Sequence, residues 1–204
     1  PERYFSWHKF YDYNAGLIGD LLPHTLTPLL QASGDPDFPR RVACTGTRKV
    51  STDREITDTT HFLAEMPGGL TFCIVGSTVN AVGLPEILRG RQGTLFFATE
   101  KDHVEFKPER PFVREFPAEE HRGFPTSGAI TRHQKNFFDC IRTGATPVAS
   151  IDLAIRVHTT LCLAEMAERL GLTLFFDAKT RTVRSGDGRI IKPIDYENHV
   201  PNSL

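Results

Sequence analysis

A strand-like pattern of apolar and polar residues fills the middle of the chain. It predicts strands at 41–48, 61–66, 70–78, 94–98 and 103–106. Pro67-Gly68-Gly69 separates the second strand from the third and has the composition of a hairpin turn. The last two segments suit a further antiparallel pair, so the predicted sheet is mostly antiparallel.

Apolar residues at helical spacing precede these strands and predict a helix over 21–30. Pro23 fits the first turn of a helix but would kink an established one, so the helix should begin near Gly19 or Asp20. Gly34-Asp35-Pro36 follows it as a stop signal.

Two further helices are predicted near the end of the chain. The first covers 128–142 and ends before Gly144. Its apolar stripe, which we interpret as core, consists of Ile130, Phe137, Phe138 and Ile141.

The second of these helices has clearer boundaries, with Ser150 as the N-cap and Gly171 just after the last turn. Its inward positions are Val157, Leu161 and Ala164. A buried strand is then predicted at 172–176.

Strands followed by helices indicate an α+β fold, with a mostly antiparallel open sheet and helices packed on one of its faces. We expect one domain over 1–204. Apolar residues are supplied to both faces of the sheet, for example by Phe72, Ile74, Leu95 and Phe97. The other face is therefore available for oligomerisation, and a homo-oligomer is expected.

Composition narrows the possible partners. The formal net charge is −1 with a pI near 6.8, which does not suit a nucleic-acid binder, so a small molecule or a second copy is the expected partner. The sequence has neither an apolar run of membrane-spanning length nor a secretory leader, so the default expectation is a cytoplasmic protein that does not contact membranes.

The four cysteines are widely spaced and form no Cys-x-x-Cys pair or zinc signature, so no metal site is expected. We interpret them as buried reduced thiols. They are Cys44, Cys73, Cys140 and Cys162.

Asp20 and His24 are the candidate catalytic residues. They stand four residues apart, and on a helix this spacing directs both side chains to one face. A carboxylate that orients an imidazole can handle a proton near neutral pH. The structural alternative is a first-turn aspartate that favours the helix dipole and a solvated histidine.

The sequence around this pair resembles the second domain of the glucose-fructose oxidoreductase / inositol dehydrogenase (Gfo/Idh/MocA) family. Members read aromatic-rich, then Gly-Gly-Gly, then Asp-x-x-x-His, and here Asn14-Ala15-Gly16 stands in place of the glycines. A late helix ending in Ile141-Arg142-Thr143-Gly144 also matches. The resemblance covers nearly the whole chain.

The resemblance implies the substrate-binding half of an NAD(P)-dependent oxidoreductase that acts on a sugar, cyclitol or similar polyol. NAD or NADP would be bound mainly by an N-terminal domain that this chain lacks, so the chain alone should be inactive. In agreement, no G-x-G-x-x-G loop is present, and Gly46 stands alone. Lys107, in Phe106-Lys107-Pro108, is interpreted as a solvated residue at a strand end.

By the same resemblance, His24 is the acid/base or its close partner, and Asp20 orients it or contacts a substrate hydroxyl. Several side chains could line a polyol pocket, with a core or surface role as the alternative for each. They are Arg3, Trp7, Tyr11, Tyr13 and Asn14. The remaining histidines, His8 among them, are expected in ordinary surface or packing positions.

Two other functions remain open at this stage. An NAD-dependent glycoside hydrolase or lyase of the same fold would oxidise and re-reduce its nucleotide within one cycle. A non-catalytic dimerisation or carbohydrate-binding module would use the same sheet without a nucleotide domain.

Overall fold

The structure is a computed structural model that describes residues 2–34, 36–98, 103–122 and 129–194. Contacts between residues divide the chain into two compact units. The first unit comprises residues 1–83 and 152–204, and the second comprises residues 84–151.

The strands are numbered in chain order. They are β1 (Arg41–Thr47), β2 (Thr59–Glu65), β3 (Thr71–Ser77), β4 (Ile87–Arg89), β5 (Gly93–Ala98), β6 (His103–Pro108), β7 (Glu119–Arg122), β8 (Leu174–Asp177), β9 (Thr182–Ser185) and β10 (Ile190–Ile191). The described helices are α1 (Glu2–Phe5), α2 (Leu17–Asp20), α3 (Leu22–Ala32), α4 (Ala129–Thr143) and α5 (Ile151–Leu170), with 3-10 turns at Trp7–Lys9 and Arg110–Phe112.

The first unit contains a six-stranded antiparallel sheet in the order β10-β9-β8-β1-β2-β3. The predicted hairpin is confirmed, because β2 pairs with β3 from Glu65↔Thr71 outward. The Met66 N–H donates to the Leu70 carbonyl at 2.8 Å, and Gly69 closes the turn at a φ of 86°. The predicted α+β class is confirmed as well.

The sheet register gives the first unit one covered face. Every second residue of β2 is buried, and the residues that face the same side on the neighbouring strands include the buried Val42 on β1 and Phe72 and Ile74 on β3. Leu22 of α3 packs onto this face, where a Cβ at Gly76 would lie 2.9 Å from its Cδ2. Residues on the other face are more open, and Leu63 is 49% exposed.

Helix α5 follows its predicted boundaries and buries its predicted inward positions. Val157 and Leu161 are 2% and 3% exposed, and Ala164 is fully buried. Gly171 adopts a φ of 62° directly after the last turn, which a residue with a Cβ disfavours. Ser150 and Gly171 therefore predicted the ends of this helix correctly, and the apolar spacing predicted its buried side.

The second unit contains a four-stranded antiparallel sheet in the order β4-β5-β6-β7. The predicted pairing of 94–98 with 103–106 is confirmed by the register of β5 and β6. Lys107 lies near the end of β6, where its Nζ lies 3.0 Å from Glu105 Oε2. Its side chain is 56% exposed, as expected for a solvated strand-end residue.

Three predictions about burial were wrong. All four residues of the α4 stripe that we interpreted as core are more than half exposed. The prediction failed because a helical period identifies an apolar stripe without showing what covers it. Of the predicted strand at 172–176, only Leu174 is buried. All four cysteines are free, but Cys140 alone is buried, while Cys73 and Cys162 are exposed.

Among the residues that the structure describes, no helix is both long enough and apolar enough to cross a membrane.

Asp58 anchors the loop between β1 and β2. Its carboxylate is buried, and Oδ2 accepts the backbone N–H groups of Lys49, Val50 and Ser51 at 3.0, 2.8 and 3.0 Å. These hydrogen bonds hold the pKa of Asp58 below its ordinary value, and the bond from the Ser51 N–H has the largest effect. One side chain therefore fixes the first part of the loop, from Lys49 to Ser51.

Replacing Asp58 with alanine should lower the free energy of unfolding by about 2–3 kcal/mol, since three loop amides lose a charged acceptor. Asp53→Ala in the same loop is the control, because the Asp53 side chain is exposed and its ion pairs should contribute much less to stability. Chemical unfolding at neutral pH measures both.

The pH dependence of this difference has a defined sign. Because the folded pKa of Asp58 is depressed, its contribution is present above the unfolded value of 3.8 and is lost as pH falls through the folded value. The stabilities of wild type and Asp58→Ala should converge in acid. A difference that stays constant down to acid pH would show that the charge of Asp58 is not what anchors the loop.

Candidate active site

A small cleft of about 70 Å³ lies beside α2 in the first unit. Four separate segments form it: the N-terminal turn that contains His8, the chain from Asn14 to Leu21, the loop between β1 and β2, and the residue after β3. The lining residues are His8, Asn14, Gly16, Leu17, Asp20, Leu21, Arg54, Ile56, Thr57 and Thr78. The cleft thus brings together an imidazole, an amide, a carboxylate, a guanidinium and two hydroxyls.

The Asn14-Ala15-Gly16 segment forms the turn that begins α2. Asn14 Oδ1 accepts the N–H of Gly16 at 3.0 Å, and Gly16 has a φ of 65°. A Cβ at Gly16 would lie 3.1 Å from the Cβ of Ile56, so glycine allows this turn to pack closely on the loop. The Asp20 N–H then donates to the Gly16 carbonyl at 3.0 Å.

Asp20 and His24 lie on consecutive short helices rather than on the single helix that we predicted. Helix α2 ends at Asp20 and α3 begins at Leu22, although Leu21 keeps right-handed helical angles. The break has a local cause, since Pro23 in the first turn of α3 has no N–H to donate. The His24 N–H donates to the Leu21 carbonyl at 3.1 Å.

The surroundings of the two catalytic candidates differ. Asp20 is exposed and lines the cleft. His24 is exposed in the first turn of α3 and does not line the cleft, whereas His8 does. The structure therefore offers a second imidazole that sequence reasoning treated as ordinary.

Of the predicted substrate-binding residues, Asn14 lines the cleft. Trp7 and Tyr13 are 48% and 56% exposed and lie outside the lining set. The ring of Tyr11 lies 4.0 Å from the guanidinium carbon of Arg169. Arg3 forms an ion pair with Asp12 and lies over the ring of Phe10.

Arg54 and Thr57 line the cleft, although no motif or spacing in the sequence marks them. They lie in the loop that Asp58 anchors, and only the folding of that loop brings them beside α2. Arg54 Nε donates to Asp53 Oδ1 at 3.2 Å, and Asp53 also pairs with Lys9 at 2.7 Å. These contacts hold the loop near the N-terminal segment.

A buried ionisable cluster on α5 lies close to Thr57. The Arg169 and Glu165 side chains are 5% and 3% exposed, and Arg169 Nη2 lies 2.5 Å from Glu165 Oε1. Burial is the main cause that raises the pKa of Tyr11 to about 12, and the negative charge of Glu168 is the second. The Tyr11 side chain therefore stays neutral across the physiological range.

Glu168 occupies the space that the missing side chain of Gly46 leaves on β1. A Cβ at Gly46 would lie 1.5 Å from Glu168 Oε1. Thr60 Oγ1 donates to Oε1 at 3.2 Å, and Thr57 Oγ1 lies 3.0 Å from Thr60 Oγ1. Burial raises the pKa of Glu168, although both threonines oppose the shift.

A signal for this cluster was present in the sequence. Positions 161, 164, 165 and 168 continue the inward stripe of α5 at spacings of three and four. Two of these positions are glutamates, and a carboxylate on a buried stripe needs partners. Within the described residues, no three His, Cys, Asp or Glu side chains are grouped to hold a metal ion.

No model of a protein family matches the sequence, and no curated protein matches it. Several solved structures, however, match the fold of this chain. An oxidoreductase from Agrobacterium radiobacter, in complex with NAD+, L-tartaric acid and magnesium, is 15% identical with a TM-score of 0.64, and the match covers 83% of this chain and 51% of that one.

Two further structures show the same relation. The aldose-aldose oxidoreductase from Caulobacter crescentus, complexed with glycerol, is 20% identical with a TM-score of 0.61, covering 79% of this chain and 48% of that one. UDP-N-acetylglucosamine 3-dehydrogenase from Acidithiobacillus ferrooxidans is 15% identical with a TM-score of 0.62, covering 74% and 46%.

The chain therefore spans about half the length of the structures that it matches. The resemblance predicted from the sequence is confirmed as a likeness of fold, since this chain has the fold of about half of each of these oxidoreductase structures.

The close approach at Gly46 leads to a prediction about stability. Gly46→Ala should lower the free energy of unfolding by about 1–3 kcal/mol, because the new methyl group must displace the Glu168 carboxyl. Gly68→Ala is the matched control, since a Cβ there meets no atom within 4 Å. Equal stability of the two variants in chemical unfolding would contradict the packing described.

Proposed function

We propose that this chain is the substrate-binding half of an NAD(P)-dependent oxidoreductase that transfers a hydride to or from a sugar, cyclitol or similar polyol. One observation carries the proposal: a cleft that contains the Asp20 carboxylate and other hydrogen-bonding side chains occurs in a fold shared with halves of oxidoreductases.

The groups that line the cleft suit a polyhydroxylated ligand. The Asp20 carboxylate accepts hydrogen bonds, the Arg54 guanidinium donates them, and the Asn14 amide and the threonine hydroxyls can do both. Two of the matched structures hold tartaric acid and glycerol, which are also polyhydroxylated. A volume of about 70 Å³ accommodates only part of a sugar, so the proposed site needs a second surface to complete it.

The described residues do not fit a dinucleotide phosphate. Glu168 fills the space at Gly46, and α2 is a four-residue helix behind a single turn. We therefore assign NAD or NADP to a separate domain of the full-length protein. When bound, the nicotinamide supplies the hydride acceptor or donor, and the residues of this chain position the substrate.

In this proposal, Asp20 accepts a hydrogen bond from a substrate hydroxyl at the cleft. His24, in the first turn of the next helix, takes or returns the hydroxyl proton, or orients the group that does so. His8 lies in the cleft itself and is the competing imidazole for this role.

Asp20→Asn and His24→Ala in the full-length protein should each lower kcat/KM for the best polyol by about a hundredfold or more, with the fold intact. The measurement is NADH formation with a panel of sugars and cyclitols. Asp152→Asn and His158→Ala are matched controls, because both residues are exposed on α5. His8→Ala in the same assay separates the two imidazoles.

Wild-type rates in both Asp20→Asn and His24→Ala would assign those residues a structural role. A loss in His8→Ala with an unaffected His24→Ala would move the proton-handling role to His8. No net NADH with any polyol would overturn the proposed reaction.

We also propose that the open face of the six-stranded sheet joins two copies of the protein. It carries Leu63 and Phe175, which are 49% and 38% exposed, beside the exposed Cys73. Arg41 and Glu65 form an ion pair beside these side chains. An apolar patch with a polar edge is typical of a subunit interface.

Leu63→Glu should therefore shift the protein from dimer to monomer in sedimentation at micromolar concentration, because it places a charge in the centre of the apolar patch. Val50→Glu is the control, since Val50 is 65% exposed but lies in the β1–β2 loop. A wild-type monomer would contradict this interface.

A further inference from the structure

Two side chains of opposite charge line the cleft without pairing with each other. They are Arg54 and Asp20. Among the residues that the structure describes, the Arg54 side chain pairs with Asp53 alone, and the Asp20 carboxylate forms no ion pair and accepts no hydrogen bond. The cleft therefore presents a cation and an anion as two separate groups to a ligand.

The loop and the N-terminal segment hold the backbone of Arg54 in place. The guanidinium of Arg48 donates to the Arg54 carbonyl, and the N–H of the next residue, Glu55, donates to the Lys9 carbonyl at 2.8 Å. Ile56 follows and is buried, with 6% of its surface exposed. Because these contacts fix the chain around Arg54, little ordering of the loop is needed when a ligand binds.

The guanidinium of Arg54 has two terminal nitrogens to offer a ligand. Its Nε donates to Asp53 Oδ1 at 3.2 Å, whereas Nη1 and Nη2 donate to no group within the described part of the chain. The side chain is 24% exposed, so most of it is shielded from solvent. Two parallel N–H groups at the end of a guanidinium match the two oxygens of a carboxylate.

The positive charge of Arg54 is only partly balanced by its surroundings. Asp53 Oδ2 lies 2.7 Å from Lys9 Nζ while Oδ1 binds Arg54, so one carboxylate serves two cations. The Asp53 side chain is 54% exposed, and that of Lys9 is 20% exposed. Water screens the exposed carboxylate more than the two shielded cations. This side of the cleft therefore keeps a net positive charge.

A neutral polyol would satisfy only the Asp20 side of the cleft. Its hydroxyls donate to the carboxylate but bring no negative charge to Arg54. A polyhydroxy acid satisfies both, because its hydroxyls donate to Asp20 while its carboxylate accepts from Nη1 and Nη2 of Arg54. Asp20 is exposed, so water screens its repulsion of the substrate carboxylate.

We propose that Arg54 is a specificity-determining residue that binds a substrate carboxylate, so that the substrates of this cleft are polyhydroxy acids. The substrate class rests on the proposed polyol function. The anion site at Arg54 does not, because it follows from the contacts of the loop.

Pairs of substrates that differ in one group test this inference in the full-length protein. Gluconate has a carboxylate where glucitol has a hydroxymethyl group, and the same holds for glucuronate and glucose. At neutral pH, kcat/KM for NADH formation should favour each acid by about tenfold or more, as expected for a charge-assisted hydrogen-bonded pair. Glucuronamide, which has nearly the shape of the acid without its charge, should lose this advantage.

Substitutions test whether Arg54 causes the preference. In Arg54→Gln the ratio of kcat/KM for acid over neutral substrate should fall to about one, and Arg54→Lys should keep part of the preference. Lys49→Gln is the matched control, because it removes a positive charge from an exposed position in the same loop that does not line the cleft. Damage to the loop alone would lower both rates equally and leave the ratio unchanged.

The outcomes separate this inference from the proposed function. If neutral polyols are oxidised as well as their acids, or if Arg54→Gln keeps the wild-type ratio, the inference fails while the proposed function stands. A preference for glucose 6-phosphate over glucuronate would overturn the assignment of a carboxylate.

If neither acids nor neutral polyols are oxidised, the proposed reaction fails, and calorimetric titration still tests the anion site. Tighter binding of gluconate than of glucitol, lost in Arg54→Gln and kept in Lys49→Gln, would support the site. Equal binding of the two compounds to the wild type would overturn it.

Discussion

The close approach of α5 to β1 at Gly46 is the constraint on which the rest of the first unit depends. The absence of a side chain at this position lets the Glu168 carboxyl lie directly over the strand. From there Glu168 reaches Thr60 on β2 and Thr57 in the loop, while its neighbour Arg169 lies over the ring of Tyr11. One small residue thus lets a single helix contact the sheet, the loop and the N-terminal segment.

Burying these charged groups is costly unless each finds a partner, and the cluster is arranged accordingly. Arg169 pairs with Glu165, and Glu168 has the Thr60 hydroxyl and a raised pKa instead of a cation. Asp58 differs from Glu168, because three backbone N–H groups donate hydrogen bonds to its carboxylate and stabilise the ionised form although the side chain is buried. The Asp58 hydrogen bonds and the cluster around Glu168 both lie beside the β1–β2 loop, which forms one wall of the cleft.

Prediction from sequence worked where the signal was local and periodic. The β2–β3 hairpin followed from alternation and a glycine-containing turn, and α5 followed from its cap, its stripe and Gly171. It failed where the outcome depended on neighbours. The α4 stripe is amphipathic whether or not a partner covers it, and the exposure of a cysteine depends on what packs beside its strand or helix. The break at Leu21 arose because Pro23 removes a donor just where a continuous helix was expected.

For the candidate site, the sequence by itself determined that an aspartate and a histidine stand four residues apart after a tight turn, in an α+β chain that resembles half of an oxidoreductase. Only the tertiary structure decided that Asp20 shares a cleft with His8, Arg54 and Thr57, and that Glu168 lies behind it. The physical reason is that these groups come from segments far apart in the chain. These groups come together through strand register, through the loop held by Asp58 and through the space that a glycine leaves at position 46. None of these features produces a periodic pattern in the sequence.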